Sequence, residues 1–84
     1  ARERPDLLIL DLRLKDISGY ELIGRLRSRQ HFSAIPILAM SAFIEELGKL
    51  EDRRDDSSLA EISKPFELKD FLELVRTLLK EPAR

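Results

Sequence analysis

Three short apolar runs constrain this chain more than any other feature. Residues 7–12 read LLILDL, residues 35–40 read IPILAM and residues 59–63 read LAEIS. All three read as strands, the third a short one, and the first as a strand buried on both faces. Pro5-Asp6 opens the first. Pro36 lies near the start of the second, where a missing N–H is tolerated. The segments between and after the runs change period, with apolar residues three and four apart, as in amphipathic helices. Strands that alternate with helices need crossover connections, and crossovers produce a parallel sheet. The expected class is therefore α/β, with three strands and three helices.

The helices can be placed more closely. Ser18-Gly19-Tyr20-Glu21 follows the capping-box pattern, with Ser18 as N-cap and Glu21 three residues on. The spacing predicts a helix from there to residue 29, with Tyr20, Leu22, Ile23 and Leu26 inward, and residues 31–34 as a connector. Phe43, Ile44, Leu47 and Leu50 predict a second helix over residues 43–54. Leu68, Phe71, Leu72, Val75, Leu78 and Leu79 form the apolar stripe of a third, which Pro82 stops. With 84 residues the chain is one small domain. Such a domain buries only about 60% of its unfolded surface, so its margin of stability is thin.

Composition removes several function classes. Apolar residues at 43% and charged residues at 37% fit a globular chain rather than a disordered one. A formal net charge of −1 argues against a general binder of nucleic acid or anionic membrane. There is no cysteine, hence no disulfide or thiolate metal site, which suits a reducing compartment. No apolar run approaches the ~20 residues of a membrane span, and no secretory signal is visible. A cytoplasmic protein without a membrane partner is the expectation.

Asp11 is the anomaly in the first run, because a carboxylate inside a buried strand is costly unless the strand ends there. In a parallel α/β sheet, ligands bind beyond the carboxyl ends of the strands. Asp11 closes the first strand, Ser41 follows the second and Lys64 follows the third. One acid, one hydroxyl and one amine would then share one sheet edge. Pro65 disfavours helical geometry at Lys64 and would hold it extended, able to reach across. Plainer readings exist beside this one: Lys64 as a simple salt-bridge partner of Asp11, Ser41 as a cap on the second helix, and His31 as an exposed connector residue.

At these residues the chain resembles the C-terminal two-thirds of a response-regulator receiver domain, the CheY-like, flavodoxin-like fold of two-component signalling. LLILDLRL resembles the family's phosphoacceptor strand, with Asp11 as the acceptor. Ser41 in IPILAMSA corresponds to the hydroxyl that moves onto the phosphoryl oxygen, and Lys64 in ISKPF to the lysine that pairs with it. Gly19 corresponds to the glycine usual at the start of the next helix. The resemblance implies phosphorylation by a histidine kinase or phosphotransfer protein and Mg2+ as cofactor, held by Asp11 and the Arg13 backbone carbonyl. It covers nearly all of residues 1–84, read as one partial receiver domain.

Departures shape the expectations. The family's first strand, first helix and second strand have no counterpart here, which marks a truncation or an excised fragment. The adjacent acidic pair that completes the magnesium site is among them. Asp6 lies about 16 Å along the strand from Asp11, at the wrong end. Mg2+ needs a near-octahedral oxygen shell, so no saturable binding is expected below roughly millimolar concentration. Lys15 stands where the family commonly has proline, and Glu61 where it commonly has an aromatic. The charged run Glu51-Asp52-Arg53-Arg54-Asp55-Asp56 reads as a solvated helix end. An enzyme of the haloacid-dehalogenase type is disfavoured, because Leu12 and Arg13 follow Asp11 where a second aspartate is needed two residues on. A phosphorylation-incompetent dimerisation or interaction module is the alternative function. A homodimer is expected in either case, through the Asp11 strand, otherwise an open apolar edge, or through the Leu68, Phe71, Leu72 and Val75 stripe of the last helix.

Overall fold

A computed structural model describes residues 5–13 and 17–79. Strand β1 is Leu8–Asp11, helix α1 Gly19–Arg27, β2 Ile37–Ser41, helix α2 Ile44–Gly48, β3 Leu59–Ser63 and helix α3 Leu68–Leu79. The strands form a parallel sheet in the order β1-β2-β3. Leu8 pairs in register with Ile37, Asp11 with Met40, Ile37 with Leu59, and Ser41 with Ser63.

Alternation along the strands sorts the side chains onto two faces. Ile37 and Ala39 join Leu12, Ile23, Ile35 and Leu50 in the buried core, with Leu8, Leu10 and Leu59 packed against it. Helix α3 packs over β2 and β3 on the sheet. Leu38 is fully buried, whereas its register partner Ile9 is 47% exposed. Among the described residues β1 has a hydrogen-bonded neighbour strand on one side only.

Helix α1 starts where the capping pattern places it: Glu21 N–H donates to Ser18 Oγ at 3.1 Å. The reciprocal half of the box is replaced, since Glu21 Oε2 instead accepts from Arg25 at 3.3 Å. Gly19 is required by space. Its N–H donates to Leu12 O at 2.8 Å, and a Cβ there would lie 2.5 Å from Leu12 Cα.

The expected second helix is shorter than its apolar spacing suggests. Helix α2 ends at Gly48, and a 3-10 turn, Lys49–Arg53, takes over. Glycine is a poor interior helix residue, and the tighter turn brings Leu50 to 4% exposure. Phe43 and Ile44, which open the apolar spacing of that helix, are 43% and 81% exposed. The connector after α1 holds a 3-10 turn at Gln30–Phe32. In α3, Phe71, Leu74, Val75 and Leu78 are half-buried, while Leu68, Leu72 and Leu79 are exposed. Pro82 and Lys15 lie outside the described residues.

The charged run is only partly a solvated surface. Asp56 is bonded to Arg27, whose Nε donates to Asp56 Oδ2 at 2.7 Å. The same guanidinium donates to Phe32 O at 2.9 Å, Ile35 O at 2.8 Å and Ser58 Oγ at 2.9 Å. Asp52 accepts from the Tyr20 hydroxyl at 2.7 Å. The Arg27 bonds tie α1 to the starts of β2 and β3, and the Tyr20 bond ties it to the Lys49–Arg53 turn.

Candidate functional site

The opposite end of the sheet brings Asp11, Ser41 and Lys64 together, as their strand-end positions require. Backbone bonds extend both ladders past the strands: Leu12 N–H donates to Met40 O, and Lys64 N–H to Ser41 O, each at 2.9 Å. These bonds hold the three residues on consecutive strands at one level. Lys64 then reaches across β2, and its Nζ lies 2.7 Å from Asp11 Oδ2. The Lys64–Pro65 peptide is cis.

The other carboxylate oxygen, Oδ1, accepts from the Arg13 backbone N–H at 2.9 Å. The Lys64 hydrogen bond first, and the Arg13 N–H second, hold the Asp11 carboxyl below its ordinary range. It is therefore an anion at neutral pH. Both side chains of the pair are 37% exposed, so the acid remains open to a ligand from solvent.

Ser41 is fully buried, and its hydroxyl is occupied. Oγ accepts from Phe43 N–H at 2.9 Å and lies 3.4 Å from Phe43 O. This is a turn-forming bond, not the helix cap considered from sequence, because Phe43 itself is the N-cap of α2. Glu61 lies on β3 beside Ala39. Among the described residues its Oε1 is buried without a hydrogen-bond partner, and Oε2 is 3.8 Å from Arg54. An open cleft of about 500 Å³, lined by Ala42, Lys64, Pro65 and Phe66, adjoins the amine.

The donor set does not suit Mg2+. Among the described residues, no three His, Cys, Asp or Glu side chains group as a metal set. One carboxylate, already bonded through both oxygens, and one carbonyl at Arg13 fall short of an octahedral oxygen shell.

Sequence reasoning assigned Arg13 only its carbonyl and used Phe43 only for the spacing of the second helix. The Arg13 guanidinium carbon in fact lies 3.8 Å from the Phe43 ring centroid, a cation–π contact across the site mouth. Arg13 Nε is also 3.9 Å from Glu46 Oε2. The available signal was positional: Arg13 follows Asp11 by two residues, and Phe43 follows Ser41 by two.

The pattern of the response regulator receiver domain matches residues 1–76. The chain belongs to the response-regulator receiver family. The receiver is 36% identical over 80 residues to the polar-differentiation response regulator DivK of Brucella anthropi, an alignment covering 94% of this chain and 64% of that protein. It is 33% identical over 84 residues to the DNA-binding dual master transcriptional regulator RpaA of Synechocystis, covering 96% of this chain and 33% of the relative. The chain thus spans less than two-thirds of these relatives' length. Among solved structures it resembles the bacteriophytochrome response regulator RtBRR, with TM-score 0.72 and 28% identity over 93% of this chain and 48% of that one. It also resembles the phosphorylated cyanobacterial phytochrome response regulator RcpA, with TM-score 0.66 and 28% identity over 89% and 53%.

Proposed function

We propose that this receiver accepts a phosphoryl group on Asp11 from a histidine kinase or phosphotransfer protein, as a signalling module rather than an enzyme. One observation carries the reading: an ionised, half-exposed carboxylate at the carboxyl end of β1, 2.7 Å from Lys64 Nζ. The acid is a nucleophile only as its anion, and Lys64 favours that form. An Asp11 oxygen attacks phosphorus, the bond from phosphorus to the donor's imidazole nitrogen breaks, and the imidazole leaves. Lys64 then exchanges the carboxylate for the phosphoryl oxygens, where the new charge lies. Ser41 Oγ has to exchange its Phe43 bond for a phosphoryl oxygen, which couples the event to the start of α2.

Incubation with acetyl phosphate, with and without Mg2+, tests this. The expected product is a hydroxylamine-labile acyl phosphate that is lost in Asp11→Asn. A hydroxylamine-stable phosphoester on Ser41, or undiminished label in Asp11→Asn, defeats the assignment.

The second reading, pairing with another copy of the chain, is favoured by Ile9, which is 47% exposed on a strand paired on one side only among the described residues, and by Leu72, 44% exposed on α3. Light scattering during gel filtration should give twice 9.7 kDa. Ile9→Lys or Leu72→Lys should lower that mass, and a folded monomer at micromolar concentration counts against the dimer.

A further inference from the structure

The two outer edges of the sheet are unlike. In a parallel ladder each residue turns both backbone groups to one side, and successive residues alternate sides. Leu8 N–H donates to Pro36 O and Leu12 N–H to Met40 O, so the even-numbered residues of β1 face β2. The backbone groups of Leu7, Ile9 and Asp11 face the other way, where no strand lies among the described residues. On β3, Ser58 O and Lys64 N–H face β2, which leaves Leu59, Glu61 and Ser63 on the outer edge. Glu61 and Arg54, 3.8 Å apart, place charge on that edge, and charge keeps an edge from pairing. The β1 edge is apolar at Leu7 and Ile9, with its one charge, Asp11, at the end. Ile9 is 47% exposed, since α3 lies over β2 and β3.

The β1 edge fits a second copy of itself. Leu7, Ile9 and Asp11 can pair with the same three residues running antiparallel about a two-fold axis. Centred on Ile9, the axis sets Ile9 opposite the partner's Ile9 and Asp11 opposite the partner's Leu7, each as a hydrogen-bonded pair. The two Asp11 residues are then about 14 Å apart along the strands. Centred on Leu10, they approach to about 7 Å, as like charges on one face. Centred on Leu8, Asp11 falls opposite the partner's Pro5, which has no N–H to donate. Charge and hydrogen bonding together select the first register.

We propose that β1 pairs antiparallel with β1 of a second copy about a two-fold axis at Ile9, joining two three-stranded sheets into one. The two Ile9 side chains cover each other. The partner's Leu7 bonds the N–H and C=O of Asp11, so the second copy fixes the main chain of the acceptor residue. This inference rests on the reading that two copies pair, and it supplies the surface and the register.

The chain has no cysteine, so Ile9→Cys gives one thiol per copy. Facing Cα atoms of a hydrogen-bonded antiparallel pair are about 5.5 Å apart, within reach of a disulfide. The 84-residue variant is incubated with oxidised glutathione and run on a non-reducing gel. A cross-linked dimer should form about tenfold faster or more than with Leu72→Cys, an exposed site on α3. In the unaltered chain, the Ile9 and Asp11 amides should exchange hydrogen at least about tenfold more slowly than in an unstructured peptide. A dimer by light scattering in which Leu72→Cys cross-links faster than Ile9→Cys, or in which these two amides exchange unprotected, overturns the strand pairing and leaves the pairing of copies standing. A folded monomer at micromolar concentration overturns both.

Discussion

The two ends of the sheet each hold one acid–cation pair at 2.7 Å, and the pairs behave differently because of what surrounds them. At the amino ends of β2 and β3, Arg27 and Asp56 have side chains 9% and 21% exposed. The Arg27 guanidinium reaches Asp56, two backbone carbonyls and the Ser58 hydroxyl at 2.9 Å or less. At the carboxyl ends, Lys64 and Asp11 are each 37% exposed, and the amine makes one bond among the described residues. A buried fork with its partners satisfied is a staple, because removing one charge strands the other. A half-exposed amine with a single partner can exchange that partner for a ligand. One end of the molecule is built to stay, the other to change.

The largest effect that would break this contrast is on stability. Arg27→Ala leaves Asp56 half-buried without its cation and should cost about 3 kcal/mol or more. A domain this small has little to lose, so the urea midpoint should collapse. A loss below about 1 kcal/mol would show that the fork is not a staple.

Lys64→Ala should barely move the urea midpoint, by about 1 kcal/mol or less, since the pair is screened by solvent. Yet it should slow acetyl phosphate labelling by about tenfold or more, through lost stabilisation of the developing charge. Equal destabilisation by Lys64→Ala and Arg27→Ala would erase the distinction between the two ends.

Acid sharpens the comparison with the smallest effect. For Asp56 burial pushes the carboxyl up, but the bonds from Arg27 and Ser58 outweigh it, and the net shift is below the ordinary 3.8. Asp11 is lowered as well, chiefly by Lys64. A carboxyl lowered in the folded state contributes stability that is full above its unfolded value. That contribution drains away as pH falls through the folded value. Stability should therefore drop below about pH 4. Asp56→Asn should flatten that drop more than Asp11→Asn does, because the Asp11 pair is the more exposed. The reverse order, measured by urea unfolding between pH 2 and 5, would contradict the assignment of the staple.

Much of the exchangeable end was legible from sequence. Asp11, Ser41 and Lys64 could be placed because a parallel sheet puts strand ends on one edge, and strand ends are visible as the limits of apolar runs. The staple was not legible. Arg27 and Asp56 are 29 positions apart, and nothing periodic relates them. Asp56 sat inside a charged run whose composition suggested only solvent.

By itself the sequence determined the elements and their order, because hydrophobic period and turn residues are local signals. Ser18 could be named as a cap because its partner is three residues away. The Leu59–Ser63 strand could be bounded because its apolar run is short and flanked by polar residues. Tertiary structure alone decided where the long side chains go. It put Arg13 on Phe43, turned Ile44 outward and gathered the Arg27 fork. Flexible charged side chains choose partners by proximity in the folded chain. Hydrophobic spacing cannot say which apolar residue a three-stranded sheet has room to cover.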